Sequence, residues 1–207
     1  MRRRGMLVAA LCTLVVVATH GQVDAGEPTD HIKGGVERVL KILEDPSLRG
    51  DAKTTERRAA VRKVAAELFA FDEIARRALG RHWQARTDKE REEFTTVFGE
   101  LLERAYFGRV DQYGGERIQW GAEKVEGEQA AVASKIISKN GSEIPIQYRM
   151  LRRGDRWMVY DVVTEGVSLV GNYRTQFDKV IQAEGYPELM RKLRERQSAM
   201  SVGQTVG

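Results

Sequence analysis

Apolar residues recur at helical spacing through the first half of the chain, at a spacing of two through the next stretch, and at helical spacing again toward the end. The first stripe is Ile32, Val36, Val39, Leu40 and Leu43, closed by Pro46. The polar start before it, 26–30, reads as mobile. A second helix is predicted over 55–69, with Val61, Val64, Ala65 and Leu68 on one face. Asp72 reads as the N-cap of a short third helix that stops at Gly80. Thr87-Asp88-Lys89-Glu90 has the spacing of a capping box, in which a threonine and a glutamate three residues apart each satisfy a backbone N–H that the helix leaves unpaired. The helix it opens carries Phe94, Val97, Phe98, Leu101, Leu102, Ala105 and Tyr106, a stripe heavy enough for a main wall of the core.

After Gly114-Gly115 the period falls to two. Strand segments are predicted over 117–120, 122–126 and 130–139, and a return strand over 142–151. Asn140-Gly141 predicts a two-residue type I′ turn between the last two. That turn places Lys139 opposite Ser142, Ile137 opposite Ile144, Lys135 opposite Ile146, Ala133 opposite Tyr148 and Ala131 opposite Met150. One face of the return strand is then Ile144, Ile146, Tyr148 and Met150, with alanines facing its two largest members, and Pro145 marks an edge or a bulge. The strand over 156–163 is apolar on both faces, so it is central or covered on both sides. A helix from about Ser168 carries Leu169, Val170, Tyr173, Phe177, Val180 and Ile181 and stops at Gly185. Pro187 opens a last short helix, and 197–207, polar and small, is expected to be disordered.

Helices, an antiparallel meander and helices again predict an α+β domain. Its twisted antiparallel sheet has about four strands, with helices packed on one side and mostly helical N- and C-terminal parts. No repeat or linker divides 26–196, so one domain is expected there, as a monomer.

The N-terminus changes this picture only by adding an address. Met1-Arg2-Arg3-Arg4, an uncharged apolar run from Met6 to Ala18, and Val23-Asp24-Ala25 have the order of a cleavable export signal over 1–25. The apolar run is short for a membrane span, and the arginines leave the general and twin-arginine routes both open. Cys12, the single cysteine, follows Leu11 inside the apolar run rather than the small residue a lipid anchor requires, so the expected product is exported, soluble and free of thiols. Loss of Arg2, Arg3, Arg4 and Asp24 lowers the net charge from +4 to +2. Acidic and basic residues alternate without a basic stripe, which argues against a nucleic-acid partner.

Candidate chemistry is sparse. His31 and His82 fall on separate helices without the spacing of paired metal ligands, so no metal or cofactor is expected. Gly166-Val167-Ser168-Leu169-Val170-Gly171 has a serine between a strand and a helix, as a nucleophile elbow does, but the second glycine comes one residue late. Ser168 therefore reads as an N-cap, with a lipid hydrolase as the alternative. What remains is a large supply of apolar side chains facing one another across helix and sheet. A packed core and a cavity wall give the same stripe.

Four segments tip that balance: the run from Phe71 to Trp83; Thr87 to Tyr106; Ile144-Pro145-Ile146-Gln147-Tyr148 with Trp157-Met158-Val159-Tyr160-Asp161-Val162; and Glu165 to Val170 running into Asn172-Tyr173-Arg174-Thr175-Gln176-Phe177. In this order they resemble the MlaC family, also called toluene-tolerance auxiliary proteins, which has a hopanoid-associated branch. The resemblance implies a cystatin-like or nuclear-transport-factor-like fold. It also implies a periplasmic protein that carries a diacyl glycerophospholipid between an inner-membrane ABC transporter complex and an outer-membrane lipoprotein complex, preserving outer-membrane lipid asymmetry. A hopanoid carrier and a transporter adaptor without lipid are the alternatives. Facing and size then nominate lipid-contacting residues: Leu79, Trp83, Phe94, Phe98, Leu101, Tyr106, Ile144, Ile146, Tyr148, Tyr160, Val167, Val170, Tyr173 and Phe177.

Overall fold

The computed structural model describes residues 27–106 and 114–203. The leader expected over 1–25, Cys12 within it, and the last four residues of the tail lie outside the described residues. Four helices come first: α1 (Glu27–Glu44), α2 (Thr54–Leu68), α3 (Phe71–Leu79) and α4 (Asp88–Tyr106). The meander follows as β1 (Arg117–Glu126), β2 (Gln129–Ile137), β3 (Glu143–Arg153), β4 (Arg156–Thr164) and a two-residue β5 (Val167–Ser168). Then come α5 (Leu169–Glu184) and α6 (Tyr186–Gly203). The strands lie antiparallel in the order β1-β2-β3-β4-β5. The α+β class and the meander agree with the spacing; β5 is the strand it did not reveal.

Local chemistry sets most of the ends. The Thr87 N–H donates to Glu90 Oε2 at 2.8 Å and the Glu90 N–H to Thr87 Oγ1 at 3.3 Å, the reciprocal pairing of a capping box. Three ends differ from the sequence reading, each because of a distant partner. The polar start is not loose: α1 begins at Glu27, and Thr29 is buried with its N–H and hydroxyl both donating to Glu123 Oε2 of β1, at 2.8 and 2.5 Å. Asp72 does not cap α3; the cap position is Ala70, and the Asp72 carboxylate instead accepts two bonds from Arg153, at 2.9 and 2.7 Å. The helix at the C-terminus runs through Gln197 to Gly203 where disorder is expected, and the Gln197 carbonyl accepts from Arg104 on α4 at 3.1 Å.

The β2–β3 register departs from the sequence reading by one residue. Ile136 pairs with Ile144, Ser134 with Ile146, Val132 with Tyr148 and Ala130 with Met150. The loop has three residues rather than two. The Gly141 N–H donates to the Ser138 carbonyl and the Ser138 N–H to the Ser142 carbonyl, both at 3.0 Å, with Gly141 at φ 85°, as in a turn followed by a glycine bulge. Asn140 Oδ1 holds that geometry by accepting from Ser138 Oγ at 2.5 Å and from the Ser142 N–H at 3.1 Å. Such a slip exchanges the two faces of a strand. The space-making alanines expected opposite Tyr148 and Met150 are therefore Val132 and Ala130. The two-residue turn with positive φ at both positions occurs instead at Glu165-Gly166, φ 50° and 82°, between β4 and β5.

Two cores result. Helices α3 to α6 bury one around Phe94, Phe98, Leu101, Tyr173 and Phe177; α1 and α2 bury the other against the sheet around Ile32, Leu68, Val132, Met150, Trp157 and Val159. Phe69 packs on both, and next to it the Ala70 N–H donates to the Val159 carbonyl at 2.9 Å, closing the edge of β4.

Candidate functional site

The seam between the two cores is hollow. A cavity of about 520 Å³ opens there, within the roughly 300–1,000 Å³ typical of small-molecule sites. Its sheet wall is Ile136, Ile146, Tyr148, Val162 and Thr164. Its helical wall is Phe69 and Phe71 at the α2–α3 junction, Ile74 of α3, and Leu102 and Tyr106 of α4. The β5–α5 corner closes the third side with Val167, Leu169, Val170 and Asn172. Of fifteen lining residues only Asp161, Thr164 and Asn172 are polar, so the chamber suits hydrocarbon and offers little to hold a charged ligand inside.

Of the fourteen nominated residues, the structure brings five to this cavity: Tyr106, Ile146, Tyr148, Val167 and Val170. The others lie outside its lining. Phe94, Phe98, Tyr173 and Phe177 contact one another instead, with Phe98 at 5.0 Å from Tyr173, 5.1 Å from Phe177 and 5.5 Å from Phe94, ring centre to ring centre. Leu79 and Leu101 are buried in the same helical core, with Trp83 packed on its side. Tyr160 lies beneath the Arg77 guanidinium at 3.9 Å, and Ile144 is exposed. Sequence reasoning missed Ile74, Leu102, Asp161 and Val162 inside their elements, and Phe69, Phe71, Ile136 and Thr164 where elements end. A stripe fills its own centre with close-packed side chains and runs out of partners at its ends. For Phe69, Phe71, Ile136 and Thr164, proximity to a helix or strand terminus was the signal available.

Asp161 is the one carboxylate of the lining, and it is almost fully buried. Its carboxylate accepts from Ser168 Oγ at 2.6 Å, from the Val170 N–H at 3.0 Å and from Arg149 Nη1 at 3.2 Å. A carboxylate at the N-terminus of α5 is also favoured by the helix dipole. Ser168 in turn accepts from the Gly171 N–H at 2.9 Å, so it is the N-cap of α5. Its hydroxyl is committed as donor and acceptor to groups that are not bases of the histidine kind. His82 Nε2 lies 2.7 Å from Asp178, and His31 stands on α1, its pKa lowered first by burial and then by Arg156 and Arg38. Burial pushes the Tyr148 phenol up; burial, with Tyr106 beside it, pushes Tyr173 up to about 12. Both phenols stay neutral at physiological pH. Among the described residues no three His, Cys, Asp or Glu side chains converge as a metal site requires, and no helix is long and apolar enough to cross a membrane.

A helix-backed antiparallel sheet with an apolar chamber at the seam of its cores defines a class of α+β ligand-cradling proteins. Within that class the chain belongs to the MlaC family, whose model, described as MlaC protein, matches residues 33–195. The intermembrane phospholipid transport system binding protein MlaC of Haemophilus influenzae is 26% identical over 163 residues, 76% of this chain and 72% of that protein. The toluene tolerance protein ttg2D of Pseudomonas putida is 24% identical over 186 residues, 88% of this chain and 84% of that one. The phospholipid-binding protein of Ralstonia solanacearum, solved in complex with a phospholipid, superposes with a TM-score of 0.75 at 25% identity, covering 85% of this chain and 99% of its own.

Proposed function

We propose that this chain is a soluble periplasmic carrier that holds phospholipid acyl chains in the seam cavity. It shuttles the lipid between an inner-membrane ABC transporter and the outer membrane, and so maintains outer-membrane lipid asymmetry. The observation that carries this reading is the cavity itself, apolar on its sheet, helix and corner sides. Burial of a methylene is worth about 0.8 kcal/mol, so a sixteen-carbon chain represents roughly 12 kcal/mol gross against water. Crossing an aqueous compartment requires a lining of that kind, and it requires no chemistry. The phospholipid named for the H. influenzae and R. solanacearum relatives supports the choice of ligand. The leader over 1–25 supplies the address in this reading.

Titration of the purified mature chain with a fluorescent acyl-labelled phosphatidylglycerol tests the proposal. Saturable binding, displaced by unlabelled glycerophospholipid and poorly by a hopanoid, is the expected result. Absence of saturable binding would overturn the carrier reading, and displacement by hopanoid alone would replace the ligand.

A further inference from the structure

The sheet has one long open edge. Its far side ends in the two-residue β5 and in Ala70, whose N–H donates to β4. On the near side β1 pairs with β2 alone along ten residues that include no proline. Such an edge offers a row of unpaired N–H and C=O groups to another strand.

Which groups point outward follows from the pairing. Glu126 and Gln129 flank a two-residue turn with Gly127 at φ 58°, so they exchange their hydrogen bonds. The alternation of an antiparallel ladder then turns the N–H and C=O of Val125 and Glu123 away from β2. A bulge sets Gly121 and Ala122 together opposite Ala133, and beyond it the outward groups belong to Trp120 and Ile118. The side chains of Ile118, Trp120, Glu123 and Val125 share one face, because their partners Ile136, Ser134, Val132 and Ala130 are alternate residues of β2.

An antiparallel copy of β1, turned about the Gly121–Ala122 peptide, fits this edge in every respect. Ile118 falls opposite Val125 and Trp120 opposite Glu123, each pair pointing its backbone groups at the other and its side chains to one face. On the other face Arg117 falls opposite Glu126 and Gln119 opposite Lys124. The bulge, which puts an ordinary strand out of register, meets the bulge of the other copy. Val125, a large apolar residue that is 48% exposed, gains cover from Ile118. Arg117, exposed and without an ion pair among the described residues, gains a carboxylate.

We propose that two copies of this chain join through β1 in this register, forming one continuous antiparallel sheet. Bulges and charges on an edge keep other strands away. Here the same features select the chain's own copy. One strand per copy makes a contact below the standard interface size, so the dimer is reversible and the monomer expected from the sequence is its dilute form. No residue of β1 lines the seam cavity, so association and lipid binding are separable.

Sedimentation equilibrium of the mature chain from about 1 µM to about 1 mM reads the association. Arg117→Glu and Glu126→Arg each set like charges opposite one another twice across the two-fold axis, and the doubly exchanged variant restores both pairs. The two positions lie at opposite ends of β1, so the exchange restores nothing within one chain. Glu126 also pairs with Lys124 at 2.6 Å, but both side chains are exposed and the loss costs the monomer little. The native chain is expected to dimerise. Each single variant lowers the association constant about tenfold or more, and the double variant returns to within about threefold of native. Phospholipid affinity is the same in all four. A native chain that stays monomeric through the range leaves the edge to a different strand and overturns the proposal before any variant is made. A dimer that both single variants leave intact forms elsewhere and overturns it. A loss that the double variant does not restore overturns the register, and with it the proposal.

Discussion

Ser168 Oγ donates to the Asp161 carboxylate at 2.6 Å, and this bond ties the start of α5 to β4, one of the three strands in the sheet wall of the cavity. Four residues of the β5–α5 corner line the chamber, and Asp161 holds that corner through both the Ser168 hydroxyl and the Val170 N–H. A buried carboxylate is costly in isolation. Here it is compensated by three donors, one of them the Arg149 guanidinium.

Asp161→Ala removes the acceptor and leaves the Val170 N–H unpaired in a buried place. The expected loss is about 2–4 kcal/mol. At roughly 2–4 °C per kcal/mol for a domain of this size, the midpoint of thermal unfolding falls by about 5–15 °C. Lipid retention falls with it, because one cavity wall is no longer pinned. Differential scanning calorimetry with and without bound lipid checks both effects.

Ser168→Ala isolates the cap. Loss of an N-cap hydroxyl costs about 1 kcal/mol, so a modest drop in unfolding temperature is expected. Release of fatty acid from phospholipid is expected to stay at background in the native chain and in the variant alike. Ester release by the native chain that disappears in Ser168→Ala would revive the hydrolase alternative.

Core and cavity respond oppositely to a change of side-chain size. Phe98, which is fully buried against Phe94, Tyr173 and Phe177, leaves a void when replaced by alanine, at a cost of about 3–5 kcal/mol. Val162→Phe instead grows into the existing chamber and is expected to cost less than about 1 kcal/mol, while lowering phospholipid affinity tenfold or more. Denaturant unfolding paired with lipid titration separates the two classes. Equal stability losses in both variants would contradict the assignment of Val162 to a hollow.

Alkaline pH acts through Tyr173 and Tyr186, each pushed up to about 12, mainly by burial. An unfolded tyrosine ionises near 10, so folding holds the phenol proton more tightly than the unfolded chain does. The stability from this source is fully present below about pH 10 and is lost as pH rises toward 12. Tyr186→Phe, which gives up one bond from the hydroxyl to the Glu90 carbonyl at 3.1 Å, is expected to flatten the alkaline limb. Thermal unfolding followed from pH 9 to 12 measures the slope.

Elements carried by short-range signals were legible in the sequence; features set by distant partners were not. Thr87 and Glu90, and Ser168 with Gly171, lie within a few residues of what they bond, and the Phe94–Tyr106 stripe repeats within a single helix. The early start of α1 depends on Glu123, and the role of Asp72 depends on Arg153. The β2–β3 register turned on whether Asn140-Gly141 makes a two- or a three-residue loop, a choice decided by Ser138 and Ser142 bonding to Asn140. For the site, hydrophobicity and size selected Phe94, Phe98 and Phe177, the residues most able to pack one another closed. Phe69, Ile136 and Thr164 border the hollow because their elements stop there, which periodicity does not register.

The central claim is that the seam cavity holds lipid as cargo. Organic extraction of the chain purified from its own cells, followed by mass spectrometry of the extract against protein amount, measures this directly. The expected result is close to one phospholipid per chain, reduced sharply in Val162→Phe. A lipid-free extract at full protein recovery would contradict the account and leave the chain as an adaptor with an empty seam.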